Sequence, residues 1–522
     1  MPDFLFALLK DNAAQVKERL ESLVDAEILL PRRYGAEIRY EFRHALLQRM
    51  AHESMVQSER RVMHGRIIEV LGEFEGGSPT IPEVQAYHLT EAGAFDKAIG
   101  AWLKAGMSAA RRSAHVEAID HNRKGLALLE RIADPATRNQ FELNLQVSLM
   151  GALLAAQSAT SPALATCCER GLVLCEEANA ASMVFPFAFG QFTFVNCRGH
   201  NQEAIALANL FLGRAQEAKR DSEQVIGYRM LGQALLAGGD PAGAKEALGK
   251  SLTLYDHERD VATTDMYGQN TEVHSKSILS LAEFCLGDID AALAIGTDAL
   301  RTADRLRHPH STAIPMVYVG GWVFGLCDAA VQMMAQAKHL LALAEQHRLH
   351  GFRVHAAAHI GWGLAQVGEL AQGVEMIKKA IAAFDAVEFR MAQAGHLANL
   401  ADAQRRLGHF DEAEANCERA LQLLPASSSW LEPEVRRVPA MLAVDMAPAD
   451  PDRADALFRG AAQCAREFGF PVFERRCLAS HEAFLKTRGQ RDAGVDARLT
   501  DLAHLSDLRA RVARAMEAVA HA

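Results

Sequence analysis

The sequence predicts an all-α protein built from stacked helical hairpins. Glycines that separate apolar helical stretches recur at a regular spacing: the interval from Gly199 to Gly239 equals that from Gly368 to Gly408. The interval from Gly287 to Gly368 is close to twice as long. Hydrophobic residues make up 49% of the chain but aromatic residues only 7%, the balance expected when helices pack through small side chains. A fixed period in this range is typical of a helical repeat array.

The clearest repeat runs from Asn399 to Pro425, NLADAQRRLGHFDEAEANCERALQLLP. It predicts a helix, a turn at Gly408 and a second helix. Small Ala413 and Ala420 fall where the two helices must approach closely, and Pro425 ends the unit. This is the pattern of a tetratricopeptide (TPR) repeat. Because the glycine period is longer than the usual TPR period of about 34, we expect longer helices or connections, in a superhelix of about nine or ten hairpins.

Residues 1–75 do not follow the repeat. Apolar residues at helical spacing come first, two short apolar runs then flank the turn Pro-Arg-Arg-Tyr-Gly, and a long helical stretch follows. Helix, hairpin and helix in this order predict a small winged-helix-like module. The TPR array is predicted to cover residues 76–485, and residues 486–522 are predicted to form a polar linker and a C-terminal capping helix.

Charge and cysteine usage argue against several classes of function. The formal net charge of −10 leaves no basic excess to neutralise phosphates, so nucleic acid is a poor partner. The nine cysteines include no CxxC pair, which disfavours a zinc site or a disulfide framework and suits a reducing cytoplasm. Two long uncharged stretches, Leu143 to Cys168 and Ala178 to Cys197, each contain a proline and polar residues. We therefore expect buried solenoid helices there rather than membrane spans.

No catalytic motif is found in the sequence. The candidate phosphate-binding loop, GGDPAGAK from Gly238 to Lys245, has the wrong spacing, lacks Ser or Thr after its Lys and falls on a repeat turn. Four histidines lie close together in sequence, but no HExxH motif, cysteine or carboxylate completes a ligand set around them. These histidines are His347, His350, His355 and His359. We therefore expect no enzymatic activity, no cofactor and no metal.

One part of the sequence resembles a known junction between two modules. The run YEFRHALLQRMAHESM, followed by RRVMHGRI and QAYHLTEAGAFDKAIG, is similar to the link between ATPase and TPR region in large bacterial regulators. These are class III adenylate/guanylate cyclase proteins that carry an AAA-type (STAND-like) ATPase and a TPR tail. The resemblance continues to about residue 480 and implies that residues 1–75 close an ATPase module. Since this chain has neither cyclase core nor phosphate-binding loop, it resembles the regulatory C-terminal part only.

The concave face of a TPR solenoid, made mainly by the first helix of each hairpin, is where ligands usually bind. Projecting the repeat phase places aromatic, amide and charged residues toward that groove, a lining that suits a peptide or a partner helix. The predicted groove residues are Phe189, Asn196, Arg229, Gln233, His274, Ser277, Phe284, Phe324, His355, Trp362, Asp402 and Arg405. A phase drift of one residue would instead turn Phe284 or Phe324 into core residues.

Together these patterns predict a cytoplasmic, non-catalytic, regulatory protein-interaction region of a signalling protein related to adenylate cyclase and ATPase regulators. A protein or peptide would bind in the groove, and an upstream ATPase or cyclase module outside this chain is a second candidate partner. The alternative is a fragment of a STAND-type transcriptional regulator with residues 13–45 as a DNA-associated head. Its candidate recognition helix, Gln15 to Asp25, carries Lys17 and Arg19 against three acidic residues, which is poor for DNA.

Overall fold

The computed structural model describes residues 2–9, 12–34, 37–74, 81–112, 114–424, 429–446 and 450–520. The described chain is almost entirely helical and divides into two compact units, Met1–Ala152 and Leu153–Ala522. The predicted boundary between residues 75 and 76 and the predicted stop at Pro425 fall outside the described residues. Within the described ranges, no helix is both long and apolar enough to cross a membrane.

The first unit begins with two helices and a β-hairpin. Its elements are α1 (Pro2–Leu9), α2 (Ala13–Asp25), β1 (Leu29–Tyr34), β2 (Glu37–Phe42), α3 (Ala45–Ser54), α4 (Gln57–Phe74), α5 (Pro82–Ala92), α6 (Phe95–Arg111), α7 (His115–Ala127) and α8 (Pro135–Ala156). The strands pair antiparallel, with Leu29 opposite Phe42 at one end. Helix, hairpin and helix follow the predicted order, and the winged-helix assignment stays a prediction.

Small residues let the helices of the first unit approach closely. Ala86 on α5 and Ala98 on α6 are completely buried beside Trp102. The Trp102 indole Nε1 donates to Thr90 Oγ1 at 3.1 Å, so the buried N–H has a partner. This is the close contact between the two helices of the hairpin that turns at Gly93.

The second unit is built from helical hairpins. Its elements are α9 (Pro162–Glu177), α10 (Val184–Cys197), α11 (Asn201–Glu217), α12 (Asp221–Ala237), α13 (Pro241–Leu254), α14 (His257–Asp260), α15 (Thr263–Tyr267), α16 (Thr271–Leu286), α17 (Ile289–Leu306), α18 (Pro309–Pro315), α19 (Phe324–Leu326), α20 (Ala330–Gln346), α21 (His350–Gln366), α22 (Leu370–Ala386), α23 (Gln393–Leu407), α24 (Phe410–Leu423), α25 (Glu432–Met446), α26 (Pro451–Glu467), α27 (Pro471–Thr487), α28 (Ala493–Asp501) and α29 (Leu508–Ala520). A π-helical segment, Met316–Val323, joins α18 to α19.

Consecutive helices form the predicted hairpins, with extensive contacts in the pairs α12–α13, α16–α17, α21–α22 and α23–α24. Gly408 ends α23 with φ of +80°, a backbone conformation that costs glycine nothing and other residues more. Asp328, with φ of +55°, takes the same left-handed role between α19 and α20, where the period predicts a turn without glycine. The predicted all-α, TPR-type solenoid is confirmed for the described residues.

The C-terminal segment differs in detail from its prediction. Helix α28 begins at Ala493, inside the predicted linker, because Asp492 caps it: one carboxylate oxygen accepts from the backbone N–H of Gly494 at 2.8 Å and of Val495 at 3.1 Å. A break before α29 then divides the predicted C-terminal capping helix in two. Helix α29 packs against α17, so it covers the flank of an earlier repeat.

Candidate functional site

The second unit encloses a pocket of about 190 Å³. Its wall is built mainly by the first helices of successive hairpins, α10, α12, α16 and α21, together with the π-helical segment. First helices stack side by side along one face of a solenoid, so residues far apart in sequence meet there. Large aromatic side chains contribute to the lining, among them Trp322, Phe352 and Trp430.

Five of the predicted groove residues line this pocket. They are Asn196, Arg229, Gln233, His274 and His355. Each is buried, with at most 9% of its surface exposed. They come from four different helices, α10, α12, α16 and α21, and the structure brings them together in one place.

Four other predicted groove residues lie in packed interior instead. Phe284 and Phe324 are completely buried members of the main core, and Phe189 belongs to a smaller core. Ser277 is also completely buried, and its hydroxyl donates to the carbonyl of Val273 at 2.7 Å. Helix α16 is buried on nearly all its faces, so the phase cannot separate groove from core along it.

The remaining three predicted residues lie near a second cavity, of about 630 Å³ and more polar lining. Trp362 and Asp402 contribute to its wall. Arg405 forms an ion pair with Asp402 at 2.9 Å and another with Asp445. Because Asp445 lies on α25, Arg405 joins two neighbouring first helices rather than presenting a free charge.

Arg229 is the most unusual residue of the pocket. It is 2% exposed, its Nη1 donates to Gln233 Oε1 at 2.8 Å, and its guanidinium lies 5.2 Å from the ring centroid of Phe189. Its Nε has no hydrogen-bond partner, and no carboxylate of the described residues forms an ion pair with it. Burial lowers the pKa of the guanidinium to about 10, so Arg229 still carries its charge at neutral pH.

Polar side chains extend from Arg229 across the pocket wall. Gln233 Nε2 donates to the Tyr318 hydroxyl at 3.3 Å. His274 Nδ1 lies 2.8 Å from Gln269 Oε1. Burial, together with the nearby positive charge of Arg229, lowers the pKa of His274 well below its ordinary value. His274 is therefore neutral at physiological pH and does not add to the positive charge.

The connection between α22 and α23 closes the pocket on one side. The backbone N–H groups of Arg390 and Met391 both donate to the carbonyl of Cys197, at 2.8 and 3.1 Å. On the same connection, Glu388 forms an ion pair with Arg198, and the carbonyl of Val387 accepts a hydrogen bond. We call residues 387–392 the closing loop. The closing loop links repeats that are far apart in sequence. Its side chains Phe389 and Met391 line the pocket.

Three histidines come together beside the pocket. The sequence pattern singles out two of them, His355 and His359. His355 and His359 lie on α21, and His396 comes from α23 of the next hairpin. Each offers a ring nitrogen, and these three nitrogens all lie within 4.8 Å of one another. His396 follows His355 by close to one repeat period, which is the signal that could have found it. His347 and His350 do not join this group.

The cysteine nearest the pocket is a poor nucleophile. Burial raises the pKa of the Cys197 thiol to about 12, so the thiol stays protonated at neutral pH. The backbone carbonyl of Cys197 holds the closing loop, since it accepts the hydrogen bonds from the N–H groups of Arg390 and Met391.

Comparison with known proteins gives one family match within the array. Residues 397–426 match the tetratricopeptide repeat. This range nearly coincides with the clearest repeat in the sequence, Asn399 to Pro425. An uncharacterized protein of Rhizobium meliloti (strain 1021) is 22% identical over 380 residues, covering 71% of this chain. The chain spans 36% of the length of that relative.

Several solved structures are similar to this chain at low identity and low TM-score. They include a Rap protein complexed with Competence and Sporulation Factor (TM-score 0.35, 11% identity, 82% of this chain and 99% of that chain). Another is a Signal Transduction ATPase with Numerous Domains (STAND) protein with a TPR sensor from Pyrococcus horikoshii (TM-score 0.37, 13% identity, 92% and 62%). A third is yeast Tom70 (TM-score 0.36, 14% identity, 85% and 97%). At these TM-scores the chain as a whole superposes on none of the three.

Proposed function

We propose that the second unit is a protein-interaction region whose interior pocket receives an acidic segment of a partner protein or peptide. The observation that carries this proposal is the buried, unpaired charge of Arg229 in the pocket wall. A buried cation without a counter-ion is costly, and a carboxylate brought by a ligand would remove that cost on binding. A planar guanidinium also suits a carboxylate, since it can donate two parallel hydrogen bonds.

The pocket walls define the rest of the ligand. A volume of about 190 Å³ accepts one or two side chains rather than a folded domain. Trp322, Phe352 and Trp430 provide apolar surface beside the charge. The partner segment is therefore an acidic side chain, or a C-terminal carboxylate, next to an aromatic or aliphatic residue.

The closing loop couples this binding to the packing of the array. A segment that enters between the repeats favours the arrangement in which the loop and α10 make room for it, and so shifts the population of that arrangement. In a larger signalling protein of the kind the sequence resembles, such a shift would act as the sensor signal for an ATPase or cyclase module. Amide hydrogen exchange at Arg390 and Met391, with and without ligand, reports this step directly.

The test uses synthetic peptides of about nine residues, each with one Asp, one Glu or a free C-terminal carboxylate next to a Phe or Leu. Matched peptides carry Asn, Gln or a C-terminal amide instead. Binding is measured by fluorescence polarisation to the wild-type chain, to Arg229→Met, and to Arg436→Met as a control, because Arg436 pairs with Glu432 on α25 outside the pocket lining.

We expect wild type and Arg436→Met to bind an acidic peptide at least about tenfold more tightly than its amide partner. Arg229→Met removes that preference. Absence of any acidic preference in the wild type, or an unchanged preference in Arg229→Met, contradicts the proposal.

The alternative of a DNA-associated head gains no support from the first unit. Lys17 on α2 lies 3.9 Å from Glu21 on the same helix, so part of its charge is compensated locally. DNA-binding helices instead present an excess of basic residues to phosphates. The assignment as a non-enzymatic, cytoplasmic region remains a prediction from the sequence.

A further inference from the structure

We propose that His355, His359 and His396 form a binding site for a transition metal ion of the zinc type, with three imidazole ligands. The site adjoins the pocket that Arg229 lines, because His355 belongs to both, and it differs from the expectation from sequence that the chain holds no metal. The inference depends on the geometry of the three rings, on their missing hydrogen-bond partners and on the backbone that makes room for them.

The three ligand nitrogens lie nearly as close together as they would around a bound metal ion. They lie within 4.8 Å of one another, whereas nitrogens bound to one tetrahedral zinc ion lie about 3.4 Å apart, for a Zn–N distance of about 2.05 Å. Small side-chain rotations therefore close the set. His355 and His359 are four residues apart on α21 and so share one face of the helix, and α23 supplies His396 from the neighbouring hairpin.

The rings also lack the partners that buried imidazoles need. Both ring nitrogens of His359, both of His396 and Nδ1 of His355 are buried without a hydrogen-bond partner. The three residues are 8%, 0% and 1% exposed, in chain order. A neutral imidazole carries one donor and one acceptor, and buried polar atoms in folded proteins are generally satisfied. Metal coordination would give one nitrogen of each ring a partner.

The surrounding backbone makes room for this cluster. A Cβ atom at position 321 would lie 2.3 Å from His359 Nε2, so Gly321 is what allows the ring to sit where it does. Gly321 belongs to the π-helical segment, a rare conformation that is frequent at functional sites. His355 also lines the pocket. Since no described Cys, Asp or Glu completes the group, a water or a ligand atom from the pocket would take the fourth position.

The test is a metal titration of the tag-free, chelator-treated full chain with Zn²⁺ by calorimetry, and with Co²⁺ by visible absorption. We expect one equivalent to bind with a Kd below about 1 μM, the strong absorption of four-coordinate Co²⁺, and a rise in Tm with zinc. His396→Phe keeps an aromatic ring against Phe384, with which His396 stacks, and should weaken binding by about a hundredfold or more.

His355→Gln is a second variant that keeps a polar side chain, with the same expected loss. His347→Ala is the control, because this half-buried residue lies outside the cluster. Circular dichroism without metal confirms that each variant is folded. A wild-type chain that binds no stoichiometric zinc, binds Co²⁺ only with the weak spectrum of a six-coordinate ion, or shares its affinity with a folded His396→Phe or His355→Gln variant overturns the proposal.

Discussion

Two arginines in the interior of the second unit have opposite environments. Arg476 lies between Asp328 and Glu434, each 3.2 Å from a guanidinium nitrogen, and it also donates to the carbonyl of Leu326 at 2.8 Å. Arg229 is more deeply buried, and among the described residues its acceptor is the amide oxygen of Gln233 alone. Both lie beside cavities. The part of the chain that the structure describes therefore supplies counter-ions for Arg476 and none for Arg229.

The paired arrangement is the rule for other buried charges of this unit. Glu474, 1% exposed, accepts from Arg466 and Arg498 at 2.8 Å each. Asp260, 2% exposed, is paired with Arg259. A buried charge that serves the fold has its partner within the fold, so the exception at Arg229 points to a partner that comes from outside. The predictions below test this contrast.

The largest effect is expected at the centre of the paired network. Glu434→Gln leaves Arg437 and Arg476 without their shared counter-ion, because Glu434 lies 2.6 Å from Arg437 and 3.2 Å from Arg476. Loss of one partner from a buried ion pair costs about 3–5 kcal/mol. Urea unfolding of the full chain measures this loss. Glu432→Gln is the control, because its pair with half-exposed Arg436 is worth less than about 1 kcal/mol.

The second prediction contrasts the two arginines directly. Arg476→Met should destabilise the chain by about 1–3 kcal/mol, since buried Glu434 loses one of its two arginine partners and keeps Arg437. Arg229→Met removes an unpaired charge and keeps most of the side-chain volume, so stability should stay the same or rise by about 1–3 kcal/mol. Urea unfolding of both variants provides the comparison. If Arg229→Met is as destabilising as Arg476→Met, Arg229 serves the fold and not a ligand.

The third prediction concerns acid. Burial by itself would raise the pKa of Glu434, but the charges of Arg437 and Arg476 hold this pKa well below its ordinary value. A carboxyl whose folded-state pKa is depressed stabilises the protein above its unfolded pKa of about 4.5, and that stability is lost as pH falls further. We expect Glu434→Gln to reduce the slope of stability against pH below about 4.5 by up to about 1.4 kcal/mol per unit. Arg229→Met should leave the slope unchanged.

The smallest effect is expected at the closing loop. Glu388→Gln removes a pair with Arg198 in which both side chains are partly exposed, so stability should fall by less than about 1 kcal/mol. The amides of Arg390 and Met391 should nonetheless exchange up to about fivefold faster, since local opening becomes easier by the same free energy. Unchanged exchange rates at these two amides would show that the Glu388–Arg198 ion pair does not help to hold the closing loop in place.

The fold could be predicted from the sequence because its turns need a left-handed backbone conformation, which glycine adopts most readily. Gly199, Gly368 and Gly408 all have positive φ, and the spacing between such glycines carries the period even where Asp328 replaces one of them. The order of helix, hairpin and helix in residues 1–75 was also predictable, from the order of the apolar stretches. The start of α28 was missed, because it depends on a single capping aspartate, Asp492, inside a polar stretch.

The site was only partly predictable, for reasons that lie in the helices. Arg229 and His274 lie in the pocket because their helices keep the regular α-helical phase. The π-helical segment inserts extra residues into its turns. Trp322, within this segment, reaches the pocket, while the predicted Phe324, directly after it, falls in the core. His396 was missed because it belongs to a different repeat from His355 and His359, and sequence alone does not show which neighbouring helices bring their faces together.

The most direct test of the central claim is a double-mutant cycle between Arg229 and the acidic group of the tightest-binding peptide. Four dissociation constants are measured by calorimetry: acidic and amide peptide, each with wild type and with Arg229→Met. Direct pairing of a buried guanidinium with a carboxylate predicts a coupling free energy of about 1.5 kcal/mol or more. A coupling near zero, with both peptides losing equal affinity in the variant, would show that the acidic group binds elsewhere and that Arg229 is not its counter-ion.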